Sequence, residues 1–354
     1  MVVPRWIGYR VTIVDLFAGA GGWDVAARDI GIATIGLELD RDACATRARI
    51  GLRTIRADLH DYGPQSCGGL IASPPCPTFS VAGSGAGRDA IPEILVTLDA
   101  LAAGQEPDHL IDSVSALVLV PFRWAFAVRP RWIVLEQVPP VLPIWERYAH
   151  HLRALGYSVW CGVLNAADFG VPQTRRRAIL IASADRAVGP PPPTHAQEPV
   201  QGLFGTLRPW VSMSEALSWS GAALSFPRGD GMTKRYGARP DHPMDRPAPT
   251  MREKSRCATW RVVTGETTTT RYQPRQVTGP ATPITAADNT YIFDGTTKAR
   301  RLTLEEGLVL QGFPPDLPLV GSRTSRWRQL GNAVPPPLAR AVLLQVFTEN
   351  NHHQ

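Results

Sequence analysis

Two side chains able to make or break bonds stand at the ends of apolar runs. Cys76 follows Leu70-Ile71-Ala72 by way of Ser73-Pro74-Pro75, and Glu136 follows Trp132 to Leu135 and precedes Gln137-Val138-Pro139. A short run of this kind suits a buried parallel strand, and ligands of open α/β sheets bind beyond the carboxyl ends of the strands. Prolines stiffen both exits. A thiol there suits a nucleophile, and a carboxyl group there suits a general acid. Taken alone, a cysteine more often reads as a buried structural residue, and Glu136 reads as well as a solvent-facing strand-end acid.

Further polar groups fall at telling intervals. Gln173, Arg175 and Arg177 alternate and would share one face of an extended segment. Three long donors on one side suit a phosphate or a base carbonyl, or else form a solvated basic run. Ala18-Gly19-Ala20-Gly21-Gly22 separates a β-rich run, Val11 to Phe17, from a helical stretch, Trp23 to Ile30. Such a glycine turn admits a ligand close to the backbone, or merely turns the chain. Glu38 ends the next strand, Thr34 to Leu39, where nucleoside-binding α/β folds hold ribose hydroxyls. Asp58 closes a short strand, Thr54 to Ala57, and suits an adenine amino group or a plain turn.

These elements alternate strand and helix. Helices are expected over Asp42 to Ile50, His109 to Val128 and Trp145 to Leu155, with strands over Tyr157 to Leu164 and Ala178 to Ala182. The stretch from Gly83 to Gly87 reads as a loop that could close over a substrate. The pattern predicts an α/β fold with a Rossmann-like, doubly wound, mostly parallel sheet.

Composition limits the remaining choices. The chain has 354 residues, 44% hydrophobic and 19% charged, with a net charge of +6. That suits one large globular domain or two moderate ones, and leans weakly towards a polyanionic partner. Lysine occurs only at Lys234, Lys254 and Lys298. Arginine therefore carries nearly all the positive charge, which suits bidentate contacts to phosphate or guanine. The five cysteines form no Cys-x-x-Cys pair, so neither a disulfide framework nor a zinc site is indicated. No run is long enough to span a membrane, and a reducing cytoplasm is expected.

The proline run Gly189 to Pro193 marks a change of composition. We expect a first domain at 1–189, a loop-rich, β-containing basic domain at 190–297, and a closing segment at 298–354. Arg235, Tyr236, Arg239, Arg252, Arg256, Arg261, Arg271 and Arg275 lie in the middle part. In the closing segment, Thr303 and Glu306 have the spacing of a helix capping box. A helix is expected from about Leu338 to Phe347, after Gly331 to Pro337.

Together these residues resemble the cytosine-5 DNA methyltransferase family. Asp15-Leu16-Phe17-Ala18-Gly19-Ala20-Gly21-Gly22 is similar to its S-adenosylmethionine motif, and Pro74-Pro75-Cys76 to its nucleophile motif. Glu136-Gln137-Val138 resembles Glu-Asn-Val, and Gln173-x-Arg175-x-Arg177 resembles Gln-x-Arg-x-Arg. Leu310 to Pro314 and Gly331 to Pro336 resemble the two closing motifs. Two residues depart from the pattern: Pro77 stands where the family has Gln, and Gln137 where it has Asn.

The resemblance implies a class I methyltransferase fold with a smaller target-recognition domain. It implies Cys76, Glu136, Arg175 and Arg177 at the reacting base. It implies S-adenosyl-L-methionine held by Phe17, Gly19, Gly21, Gly22, Glu38, Asp58, Pro75, Asn332 and Val334. The implied partner is double-stranded DNA, with no metal and no membrane, and a monomer is expected. A restriction–modification, orphan or phage enzyme fits. The alternatives are a tRNA cytosine-5 methyltransferase and a catalytically weak DNA-binding relative.

Overall fold

The structure is a computed structural model that describes residues 12–75, 79, 86–105, 113–198, 201–202, 205–218, 222–225, 242–243, 247–249, 261–264, 292–293, 298–301 and 303–347. The chain divides into two compact units. The first takes 1–164, 176–192 and 339–354, and the second takes 165–175 and 193–338.

The first unit is built on a seven-stranded sheet. Its strands are β1 (Ile13–Leu16), β2 (Thr34–Glu38), β3 (Thr54–Arg56), β4 (Gly69–Ala72), β5 (Trp132–Gln137), β6 (Ser158–Asn165) and, after the two-residue β7 (Gln173–Thr174), β8 (Arg176–Ser183). The spatial order is β3-β2-β1-β4-β5-β8-β6. Strands β1 to β5 pair in parallel, and β8 runs antiparallel to β5. The order reverses beside β1, between β2 and β4, which creates the crevice where doubly wound sheets bind ligands.

Strands β1, β4 and β5 are buried along their whole length, which explains their continuous apolar runs. Helices α1 (Gly22–Asp29) and α2 (Arg41–Arg49) follow the first two strands. Asp40 caps α2 by accepting from Ala43 N at 2.9 Å, and Arg47 and Arg49 lie in its last turn.

The helix expected over His109 to Val128 is not continuous. Residues 113–116 form a short turn of helix, Leu117–Leu119 a 3-10 turn, and a new helix runs Val120–Val128. Pro121 explains the restart, since proline fits the first turn of a helix but not its interior. The next helix, Leu142–Ala154, starts earlier than expected for the same reason, with Pro143 in its first turn. Tyr148 joins these two helices. Its hydroxyl donates to Val118 O at 2.6 Å and accepts from Phe122 N at 3.0 Å.

The last residues of the chain also belong to the first unit. Phe347 packs edge-on against Trp132, with ring centroids 4.9 Å apart.

In the second unit Thr303 caps the helix Leu304–Leu310 through the expected box. Its hydroxyl accepts from Glu306 N at 3.2 Å, and Glu306 Oε2 accepts from Thr303 N at 2.8 Å. A five-stranded antiparallel sheet is built from short strands between Ala222 and Arg301. Most of the residues singled out in the middle part lie outside the described residues: Arg235, Tyr236, Arg239, Arg252, Arg256, Arg271 and Arg275.

Candidate active site

The end of β5 carries the clearest chemistry. Glu136 and Gln137 are its last residues, both buried, and they point to opposite faces. Glu136 pairs with Ile179 across the antiparallel ladder. Arg177 lies two residues before Ile179, on the same face of β8 and diagonal to Glu136. Diagonal neighbours are within reach of long side chains. Arg177 Nε meets Glu136 Oε1 at 2.8 Å, with both side chains largely buried.

Gln137 turns towards β4. Its Nε2 donates to Pro74 O at 2.6 Å, and its Oε1 accepts from Val138 N. The residue is one methylene longer than the Asn of the resembled motif, and it uses both ends of its amide. The stretch before Cys76 is fixed at further points. Ser73 N donates to Leu16 O at 3.2 Å, and Trp23 Nε1 donates to Ser73 Oγ at 2.9 Å. Cys76 itself, Pro77 and residues 83–85 of the expected loop lie outside the described residues, and a short helix starts at Ala86.

The glycine turn follows β1. Phe17 (φ 60°), Gly19 (φ 53°) and Gly21 (φ 95°) take left-handed conformations. For Phe17 this is an uncommon backbone state of the kind that clusters at ligand sites. Gly19 N donates to Glu38 Oε2 at 2.7 Å, and Asp40 N donates to Glu38 Oε1 at 2.7 Å. The turn, β2 and the start of α2 therefore meet at one carboxylate. Asp58 Oδ1 accepts from His60 N at 2.9 Å. Leu39, which sequence reasoning passed over, is 53% exposed beside Glu38 and offers an apolar surface. Exposure of a large aliphatic side chain at a strand end is the signal, and it shows only in the fold.

The Gln-x-Arg-x-Arg run alternates as expected. Gln173, Arg175 and Arg177 are buried, and Arg176 is exposed. The structure gives Arg175 a partner other than the base carbonyl or phosphate expected of it. Its Nη2 donates to Gly331 O at 3.0 Å inside the second unit, and only 1% of its surface is exposed. Gln173 Nε2 donates to Gln311 Oε1 at 2.7 Å, and Gln311 Nε2 donates to Ala333 O at 2.7 Å. Gln173 and Arg175 thus grip the two closing stretches from the interior. Asn332 is exposed at the end of the helix Arg323–Asn332, and Val334 is buried.

A family model described as C-5 cytosine-specific DNA methylase matches residues 11–100 and 112–348. The chain belongs to that family. The enzyme is therefore a DNA (cytosine-5) methyltransferase, and members of its family take the methyl group from S-adenosylmethionine. The methylase is 27% identical to the Type II methyltransferase M.AplI of Arthrospira platensis over 350 residues, covering 95% of this chain and 86% of that one. It is 27% identical to the Type II methyltransferase M.NgoMIV of Neisseria gonorrhoeae, covering 96% and 97%. Its fold resembles Dnmt2 of S. pombe, with a TM-score of 0.59 at 16% identity, covering 97% of this chain and all of that one. It also resembles the methyltransferase EhMeth of Entamoeba histolytica, with a TM-score of 0.57 at 15% identity and coverage of 96% and 98%.

The turn fits this methyl donor. A Cβ built at Gly19 meets no atom within 4 Å, so the turn is open there. Each Glu38 oxygen accepts one backbone N–H and keeps capacity for a ribose hydroxyl. Among the described residues no cluster of His, Cys, Asp or Glu could hold a metal ion.

Proposed function

We propose that this methylase modifies a flipped cytosine in double-stranded DNA through a covalent bond to Cys76. The observation that carries the reading is the end of β5. There Glu136 is fixed by Arg177, and Gln137 fixes Pro74, two residues before the thiol.

Cytosine carbon 5 is a poor nucleophile while the ring is aromatic. Addition of the Cys76 thiolate to carbon 6 breaks the aromaticity and makes carbon 5 enamine-like. A free thiol with a pKa of ~8.5 is largely protonated at neutral pH, so the site must favour the thiolate. Glu136 shares a proton with ring nitrogen 3 and offsets the charge that develops there. Arg177 keeps the carboxyl group in place. S-adenosylmethionine, held by Phe17, Gly19, Gly21, Gly22, Glu38 and Asp58, supplies an electrophilic methyl group when bound. Loss of the carbon 5 proton and release of Cys76 restore the ring. Extrusion of the base from the duplex costs a few kcal/mol, to be recovered from contacts with DNA.

The Type II relatives support a place in a restriction–modification system, and we place the enzyme in a bacterial cytoplasm, encoded by the cell or by a phage. Residues 190–297 would choose the target sequence, 1–189 would bind the donor and the base, and 298–354 would close the first domain. Pro75, Asn332 and Val334 would contribute to the donor site. We expect the enzyme to act as a monomer.

The test uses labelled S-adenosylmethionine with mixed-sequence DNA and, separately, tRNA. The product is mapped by bisulfite sequencing. Label in DNA as 5-methylcytosine is expected. Label in tRNA alone, or none in either, would overturn the reading.

A further inference from the structure

Arg47 is a fully buried arginine that the proposed chemistry does not use. Its guanidinium spreads over four segments of the first unit. Nη1 donates to Asp24 Oδ2 at 2.5 Å and to Ala18 O at 3.3 Å. Nε donates to Thr54 Oγ1 at 2.8 Å, and Nη2 donates to Arg53 O at 3.3 Å. Asp24, also fully buried, accepts from Thr34 Oγ1 through its other oxygen. Glycine makes room for the group. A Cβ at Gly36 would sit 1.9 Å from Arg47 Nη2 and 2.7 Å from Ala18 Cβ, so any larger residue there would displace the guanidinium.

A buried ion pair is a poor way to gain stability. Desolvation offsets most of the attraction, and apolar residues of equal volume often do as well. What such a group provides is fixed geometry, because the planar fork sets the positions of all its acceptors. Here one acceptor is the carbonyl of the Ala18–Gly19 peptide. The N–H of that same peptide donates to Glu38 Oε2 at 2.7 Å. In a planar trans peptide the two groups point in opposite directions. One peptide plane is therefore held from below by Arg47 and from the other edge by Glu38. Gly19, which shares that peptide, and Phe17, one residue before Ala18, take left-handed conformations.

Asp15 completes the network. It is fully buried, and among the described residues neither of its oxygens accepts a hydrogen bond. A carboxylate there would be a buried charge without a donor. Burial first, and then the charge of Asp24, hold the Asp15 carboxyl well above the usual carboxylate range. A neutral Asp15 leaves Asp24 as the anion that faces Arg47.

We propose that Arg47, anchored by Asp24, is a positioning residue for the methyl donor: it sets the Ala18–Gly19 peptide, and through it Glu38, for S-adenosylmethionine. The inference rests on the donor site proposed for the turn. It implies that Arg47 acts on donor affinity and not on the reacting base.

The test compares wild type with the paired Arg47→Met/Asp24→Leu variant, which leaves no orphaned charge, and with Arg47→Lys, which keeps the charge without the fork. S-adenosylhomocysteine affinity is measured by calorimetry without DNA. KM for S-adenosylmethionine, KM for DNA and kcat are measured with DNA, and thermal melting confirms the fold. We expect S-adenosylhomocysteine affinity and KM for the donor to worsen about ten-fold or more in both variants, with kcat and KM for DNA within about three-fold. Full donor affinity in either folded variant would overturn the inference. If the paired variant does not fold, Arg47→Lys decides alone. A wild type that fails to bind S-adenosylhomocysteine would instead sink the donor site itself, and a wild type that binds it keeps the two failures apart.

Discussion

Gln137 Nε2 donates to Pro74 O at 2.6 Å, so the strand that carries Glu136 also holds the backbone two residues before Cys76. The proposed acid and the proposed nucleophile are tied through adjacent residues of one strand. Removing the amide leaves a buried carbonyl without a donor, which costs about 1–3 kcal/mol. Gln137→Ala should therefore melt at lower temperature and lose about ten-fold or more in kcat. Gln137→Asn keeps the chemistry but is one methylene shorter, and should fall between the two. Equal kcat for all three forms would show that the Pro74 contact does not position the thiol.

Arg177 and Glu136 form a largely buried pair, and removing one partner leaves an uncompensated charge. Arg177→Met should destabilise the protein by on the order of 3 kcal/mol and reduce methyl transfer sharply. Glu136→Gln should cost less stability, because the amide oxygen still accepts from Arg177, yet should abolish most of kcat. Denaturant unfolding beside single-turnover kinetics separates the two effects. A Glu136→Gln enzyme with full rate would remove its role at nitrogen 3.

The cysteines should differ in reactivity. Burial pushes the Cys67 thiol up to about 12, and burial also raises Cys44 and Cys161. Cys67 is thus protonated at pH ~8, where a nucleophilic thiol carries appreciable thiolate. Iodoacetamide at that pH, followed by peptide mass spectrometry, should modify Cys76 and leave Cys67 intact. Modification of native Cys67 at the rate of Cys76 would contradict this.

Asp15 should make stability pH-dependent. Its folded-state carboxyl titrates well above its ordinary range, through burial first and Asp24 second. Between the unfolded value near ~4 and the folded one, the native state keeps a proton that the unfolded chain has released. Its contribution is fully present below the unfolded value and is lost as pH rises through the folded one. Asp15→Asn cannot ionise. The stability of Asp15→Asn relative to wild type should therefore grow as pH is raised from about 4 towards neutrality. A difference that stays flat across that window would mean Asp15 is ionised in the fold.

Much of this architecture is legible in the chain because its signals are local. Leu70 to Ala72 and Ile133 to Leu135 read as buried parallel strands, and both are. The residues at their ends were marked by proline and by chemical type. The Gln-x-Arg-x-Arg alternation predicted a shared face, and burial follows that alternation. Its partners could not be read, since Gly331 and Gln311 lie more than a hundred residues away. Asp24 and Arg47 are not legible in the sequence for a different reason. Each sits on a short helix among other charged residues, where a solvated face is the ordinary expectation. Only the packing of α1 and α2 against β2 turns both inward. Pro121 was a visible breaker inside an apolar run whose continuity suggested one long helix.

The central claim is a covalent bond between Cys76 and carbon 6 of a cytosine in DNA. DNA with 5-fluorocytosine at the methylated site tests it most directly. After methyl transfer no proton remains on carbon 5, and fluorine cannot leave as a cation, so release of the thiol is blocked. Incubated with S-adenosylmethionine, the enzyme should form a complex that survives denaturation, with the methylated fluoropyrimidine on the peptide that contains Cys76. Cys76→Ser should form none. Attachment at another cysteine, or no stable complex with DNA that wild type methylates in its unfluorinated form, would contradict the account.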